Sequence, residues 1–228
     1  MDLNHKTELD QLISLFADVI NYLKGKEINR YEGLKFAEGL AKKTFFHICS
    51  IYSLANGYRV LLDEKTYIDQ IDHSSMSVML RAALESYLTF NHIFIAPKEE
   101  DEIIFRFNCW DYAGFIERRD LYPATIEHKQ LQKSEAILAE RVWEKIERNN
   151  YFQRLSKDAK KKIKRGEWKH YLKWKDLAVD AKFDEIMFID MYKYLCSYSH
   201  SGRLSVLQLL VVKDDKGIEQ MLTPVYVY

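Results

Sequence analysis

Apolar residues recur at helical spacing along most of the chain. Leu9, Leu12, Ile13, Phe16, Val19 and Ile20 mark one amphipathic helix, and Leu34, Leu40, Ala41, Phe45 and Ile48 mark a second over about 30–55, stopped at Asn56-Gly57. The segment 72–95 is apolar on nearly every side, through Met76, Leu80, Leu84, Leu88, Phe90 and Ile93, with Asp72 or Ser74 as its cap. A helix greasy all round belongs at the centre of a packed domain. Pro97 breaks the pattern, a further helix follows through Phe107, Trp110 and Ile116, and Pro123 ends it. Residues 125–155 read as one long charged helix with a narrow apolar stripe (Leu131, Ile137, Leu138, Val142, Ile146), which predicts an outer position or a crossing to a partner. Residues 176–200 read as another helix, closed by Ser201-Gly202. Beyond Arg203, two apolar runs flank Lys213-Asp-Asp-Lys-Gly217 and predict a short C-terminal β-hairpin over 203–228, with a last short helix as the competing reading.

Composition points the same way. Only 3 Pro and 8 Gly occur in 228 residues, too few breakers for a turn-rich β fold, and 31 aromatic side chains (15 Tyr, 12 Phe, 4 Trp) predict an aromatic core. The expected fold is mainly α: a single domain over 1–228, a helical bundle of about six to eight helices with the hairpin as an appendage.

The 34 basic and 34 acidic side chains cancel, which removes a global field and leaves local patches to decide any polyanion binding. One patch exists. Residues 157–175 hold nine Lys or Arg against Asp158 and Glu167, a surplus of +7, and act as a basic connector. No apolar run approaches the ~18 residues a membrane span needs. Cys49, Cys109 and Cys196 stand far apart among apolar neighbours, the pattern of reduced thiols in a cytoplasm. The chain is thus expected to be cytoplasmic, without a membrane partner and without a cofactor.

Arg81, Glu85 and His92 are the ionisable groups of the apolar 72–95 helix, and with Leu88 they fall on one face. Burying them is costly without partners, and the helix end Tyr194-Leu-Cys-Ser-Tyr-Ser-His200 is the expected source. The functional form of this cluster makes His200 a general acid or base, with Arg81 stabilising an anion and Glu85 orienting it; the structural form is an ion pair that locks two helices.

The pattern Arg81-x3-Glu85 in one apolar helix and Tyr-x2-Leu-Cys-x2-Ser-His200 ending a later one resembles an uncharacterised bacterial all-helical family, with Cys196 where that family commonly has Ser. Such proteins look like distant relatives of the HEPN class, which includes antiviral and toxin ribonucleases. The resemblance implies a defence-type protein facing RNA. HEPN nucleases carry Arg and His four to six residues apart. His200 has only Lys193 near those offsets, a poor replacement for a planar guanidinium.

Within the basic connector, Lys161, Lys164, Arg165, Lys169 and Lys173 interleave with Trp168, the combination by which single-strand binders track phosphates and stack bases. The opposing expectation is a solvated surface whose aromatics fold back into the core. Arg165-x4-His170 matches the nuclease spacing literally but straddles Gly166, and Glu167-x2-His170 lacks the second pair a di-iron bundle needs, so no metal is expected. Cys196 and His200, four apart on one helix, are badly aimed for a thiolate–base pair. Beside the RNA-facing reading stand a non-enzymatic module, homo-oligomeric or binding a small molecule, in which the Arg81 cluster is structural, and a hydrolase of phosphorylated small molecules.

Overall fold

The computed structural model describes residues 5–24, 26, 33–62, 66–170, 172–200, 202–203 and 205–207, and it is mainly α-helical. In chain order the elements are α1 (His5–Leu23), α2 (Leu34–Ala55), β1 (Tyr58–Leu61), β2 (Tyr67–Gln70), α3 (His73–Phe90), a π-helical turn (Asn91–Ile95), α4 (Glu100–Arg119), α5 (Ile126–Arg148), α6 (Asn150–Arg154), α7 (Lys157–Lys164), α8 (Trp174–Asp180) and α9 (Glu185–Ser199). The chain divides into two compact units, Met1–Tyr87 with Phe183–Tyr228, and Leu88–Lys182. No helix among the described residues is long and apolar enough to cross a membrane.

In the first unit, α1 meets α2 through a stacked Phe16–Phe45 pair 5.2 Å apart, while Leu12, Leu15 and Val19 of α1 stay exposed. Gly57, at φ 75°, turns the chain out of α2 into an antiparallel hairpin that pairs Tyr58 with Gln70 and Leu61 with Tyr67. Asp72 starts α3 by accepting the Ser75 N–H at 2.9 Å, as a capping carboxylate should. Met76, Leu80, Ala83 and Leu84 of α3 and Phe188, Met191 and Leu195 of α9 are buried in this unit.

The second unit is built on an aromatic core: Phe105, Cys109 and Tyr112 from α4, Val142 and Ile146 from α5, Phe152 from α6 and Ile163 from α7. Trp143 packs edge-on to Phe152 at 5.5 Å, and Trp168 lies against the same cluster. Burial pushes the Cys109 thiol far above its ordinary pKa, so it behaves as a small apolar side chain.

Two helices expected to be continuous are broken. Asn149 splits 125–155 because its side chain caps α6 through the Tyr151 N–H (2.8 Å) and donates to Asp101 O and Oδ1 (3.2 and 3.0 Å). Lys182, at φ 70°, and Asp184, which caps α9 by accepting the Met187 N–H at 2.8 Å, split 176–200. The basic connector is itself partly helical, as α7. Gly202 does close α9, its N–H bonding Ser197 O at 2.7 Å. Residues 203 and 205–207 are helical; the rest of the expected hairpin, 208–228, lies outside the described residues.

Candidate functional site

Arg81 and Glu85 sit one turn apart on α3 and join through Nε–H···Oε1 at 2.9 Å, each side chain about a quarter exposed (23% and 29%). Their third partner comes from α9, but it is Tyr192 rather than His200. Tyr192 Oη donates to Glu85 Oε1 at 2.5 Å, and the guanidinium lies 5.4 Å from the Tyr192 ring centre. Burial, then Glu85, push the Tyr192 phenol well above its ordinary pKa, so it stays a neutral donor. His200 lies eight residues further on, about 12 Å along a helix axis. It is exposed, its backbone N–H closes the helix on Cys196 O, and its imidazole makes no hydrogen bond or ion pair with a described residue. The structure therefore brings together Arg81, Glu85 and Tyr192 and leaves His200 outside that cluster. Tyr192→Phe should lower stability by about 1–2 kcal/mol, the worth of a hydrogen bond to a charged acceptor in a half-buried place. His200→Ala should stay within about 0.5 kcal/mol. Denaturant midpoints of the two variants check both values.

His92, the third member of the expected stripe, belongs to different surroundings. The helix widens after Phe90, where the Ala96 N–H bonds Asn91 O across five residues. In the second unit His92 is 6% exposed and meets Arg106 of α4. Arg106 Nη1 donates to His92 O at 2.7 Å and lies 3.1 Å from Nδ1, while Nη2 bonds Glu102 Oε1 at 2.6 Å. Arginine has no acceptor, so Nδ1 accepts and the ring proton sits on Nε2. Burial first, then Arg106, His170 and Lys169, hold the His92 pKa down at about 3, and burial holds His170 down at about 4. His92, Arg106, Leu172, Asp176, Leu177 and Asp180 line a cavity of about 250 Å³. Sequence reasoning missed Arg106, Glu102 and the two aspartates. The signal was present: Glu102-x3-Arg106, set among Ile103, Ile104, Phe105 and Phe107, repeats in α4 the device of Arg81-x3-Glu85.

The basic stretch separates into an outer and an inner part. On α7 only Ala159 and Ile163 are buried, and Lys157, Lys161, Lys164 and Arg165 are exposed. Lys164 lies 5.5 Å over Trp143, and Lys162 is tied to Asp158 at 3.6 Å. Gly166, at φ 87° and with Ile116 3.1 Å from where a Cβ would stand, turns the chain back toward the core. There Trp168 packs on His92 at 5.8 Å and on Trp174 at 6.4 Å, with Lys169 Nζ 3.7 Å over the Trp174 ring. The tryptophans are half-buried packing elements, whereas Lys173 is exposed at the start of α8. Arg165 is exposed and His170 packs on Phe105 at 6.0 Å, so the literal Arg-x4-His match spans two environments. Among the described residues no three His, Cys, Asp or Glu side chains gather as a metal-binding set.

One family model matches the chain over residues 42–218, from within α2 to beyond α9, and its description is Family of unknown function (DUF5677). No curated protein and no solved structure gives a significant match.

Proposed function

We propose, from the premise that the chain belongs to DUF5677, a family of unknown function, that it binds single-stranded RNA through the outer face of α7. The observation that carries the reading is the division of α7 into two buried small-to-medium apolar residues and an otherwise solvent-facing row, Lys157, Lys161, Lys164 and then Arg165. Four exposed cations on one short helix and its cap, Lys164 among them lying over Trp143, form a local positive surface in a chain of zero net charge. The resemblance to HEPN-type proteins points to RNA as the polyanion. The reading is of binding rather than strand cleavage. Arg81 and Glu85 neutralise each other and engage Tyr192, and no described side chain orients His200 as an acid or base. That cluster serves as a clamp between α3 and α9.

Four phosphate contacts give a salt slope of about −3 in log K against log [salt], so affinity for a 12-nucleotide single strand should fall about 50-fold between 50 and 200 mM salt. Replacing Lys161, Lys164 and Arg165 together by Ala should leave a slope near −1. Fluorescence anisotropy with labelled RNA reads both; no binding at 50 mM salt would retire the reading.

A further inference from the structure

We infer that the cavity beside α8 is a receptor for a single guanine base. Its walls are chemically divided. Donors come from the π-helical turn and α4. His92, 6% exposed, carries its proton on Nε2, and that N–H has no hydrogen-bond partner among the described residues. Arg106 uses both Nη1 protons on His92 and one Nη2 proton on Glu102, which leaves Nε–H and one Nη2–H to offer. Acceptors come from α8: Asp176 and Asp180, one turn apart. Asp176 takes the Lys173 N–H on Oδ2 at 2.7 Å and keeps Oδ1, while the Asp180 carboxylate has no partner among the described residues. Leu172 and Leu177 supply apolar flanks.

A ligand that suits these walls presents acceptors along one edge and donors along another. Guanine does so: O6 and N7 accept, and N1–H with N2–H₂ donate, the pair a carboxylate takes with both oxygens. Adenine places an amino donor where guanine has O6, which would set donor against donor. At about 250 Å³ the cavity is below the 300–1,000 Å³ of sites for larger ligands, room for one base and not for two. Exposed Lys173, at the start of the helix that carries both aspartates, supplies a cation on the same element for an attached phosphate. Because His92 stays neutral at physiological pH, its N–H serves as a dipole donor and adds no charge to repel or trap a ligand.

The inference deepens the RNA reading, yet the two fail separately. Full-length protein is titrated with guanosine, adenosine and uridine monophosphates, and with a U₁₂ strand and the same strand bearing one central G. Guanosine monophosphate should bind about tenfold tighter than either competitor, and the G-bearing strand severalfold tighter than U₁₂. Asp180→Asn, an exposed change that leaves the fold intact, should remove both preferences and leave the salt-dependent binding of U₁₂ unchanged; Asp176→Asn should do the same while keeping its cap. The α7 alanine variant should weaken both strands equally and keep the preference for G. Guanosine monophosphate selectivity without strand binding keeps the pocket, as a free-nucleotide site, and ends the RNA reading. Equal binding of the three mononucleotides and of the two strands, or selectivity indifferent to both aspartates, overturns the pocket.

Discussion

Between pH 8 and pH 5 the second unit should lose about 4 kcal/mol of stability, about 2 from each of two buried imidazoles. His92 and His170 have folded pKa values near 3 and 4, far below the 6.5 of an exposed histidine. Unfolding releases both rings to water, where they take up protons at pH 5 that the folded state refuses. The unfolded state thus binds more protons, and stability falls as pH falls. The contribution is complete above pH 6.5, declines through the interval down to 3–4, and flattens below it. Carboxylates titrate mostly below pH 5, so the window isolates the histidines. Urea unfolding at pH 8 and pH 5 measures the difference. His92→Asn, which keeps an acceptor for Arg106, should remove about half of it. Equal midpoints at the two pH values would show that neither ring is buried in its neutral form.

Ile163→Ala should cost about 3 kcal/mol, in the range for truncating a fully buried aliphatic side chain. The same change at Lys161, exposed on the same helix, should stay within about 0.5 kcal/mol. Ile163 is 0% exposed and joins the aromatic core, and Ala159 is the one other buried residue of α7. Losing the isoleucine should also weaken RNA binding without removing any charge, because the row of cations would no longer be held in one geometry. Denaturant midpoints give the first result and anisotropy the second. A stable Ile163→Ala would mean that the basic helix is held by something other than its apolar side.

Much of this architecture could be read from spacing. The 3.6-residue recurrence found α1 to α5 and α9, and Asp72, Thr125 and Gly202 stood at helix boundaries where caps and stops belong. The two helix breaks have a common cause: in the sequence Asn149 and Asp184 look like ordinary polar positions within a helix, though each side chain competes for backbone N–H groups and wins. The β1–β2 hairpin escaped because four-residue strands carry too little alternation to stand out. At the candidate site, periodicity correctly placed Arg81 beside Glu85. It could not say which turn of α9 would meet them, and Tyr192 lies two turns before the histidine that drew attention. His92 falls on the same stripe only under unbroken α-helical winding, which the wide turn removes. The pairing of α4 with α8 around the cavity is a tertiary fact that no spacing encodes.

That wide turn at Asn91–Ile95 bears on chain length as well as on shape. The turn closes the helix that begins as α3, so the residue count within it sets the aim of the last side chains before the chain bends at Ala96. Deleting Asn91 should therefore leave α3 intact and fall on the pocket. Regular winding would return, and position 92 would swing by about 100°, off Arg106 and out of the cavity wall.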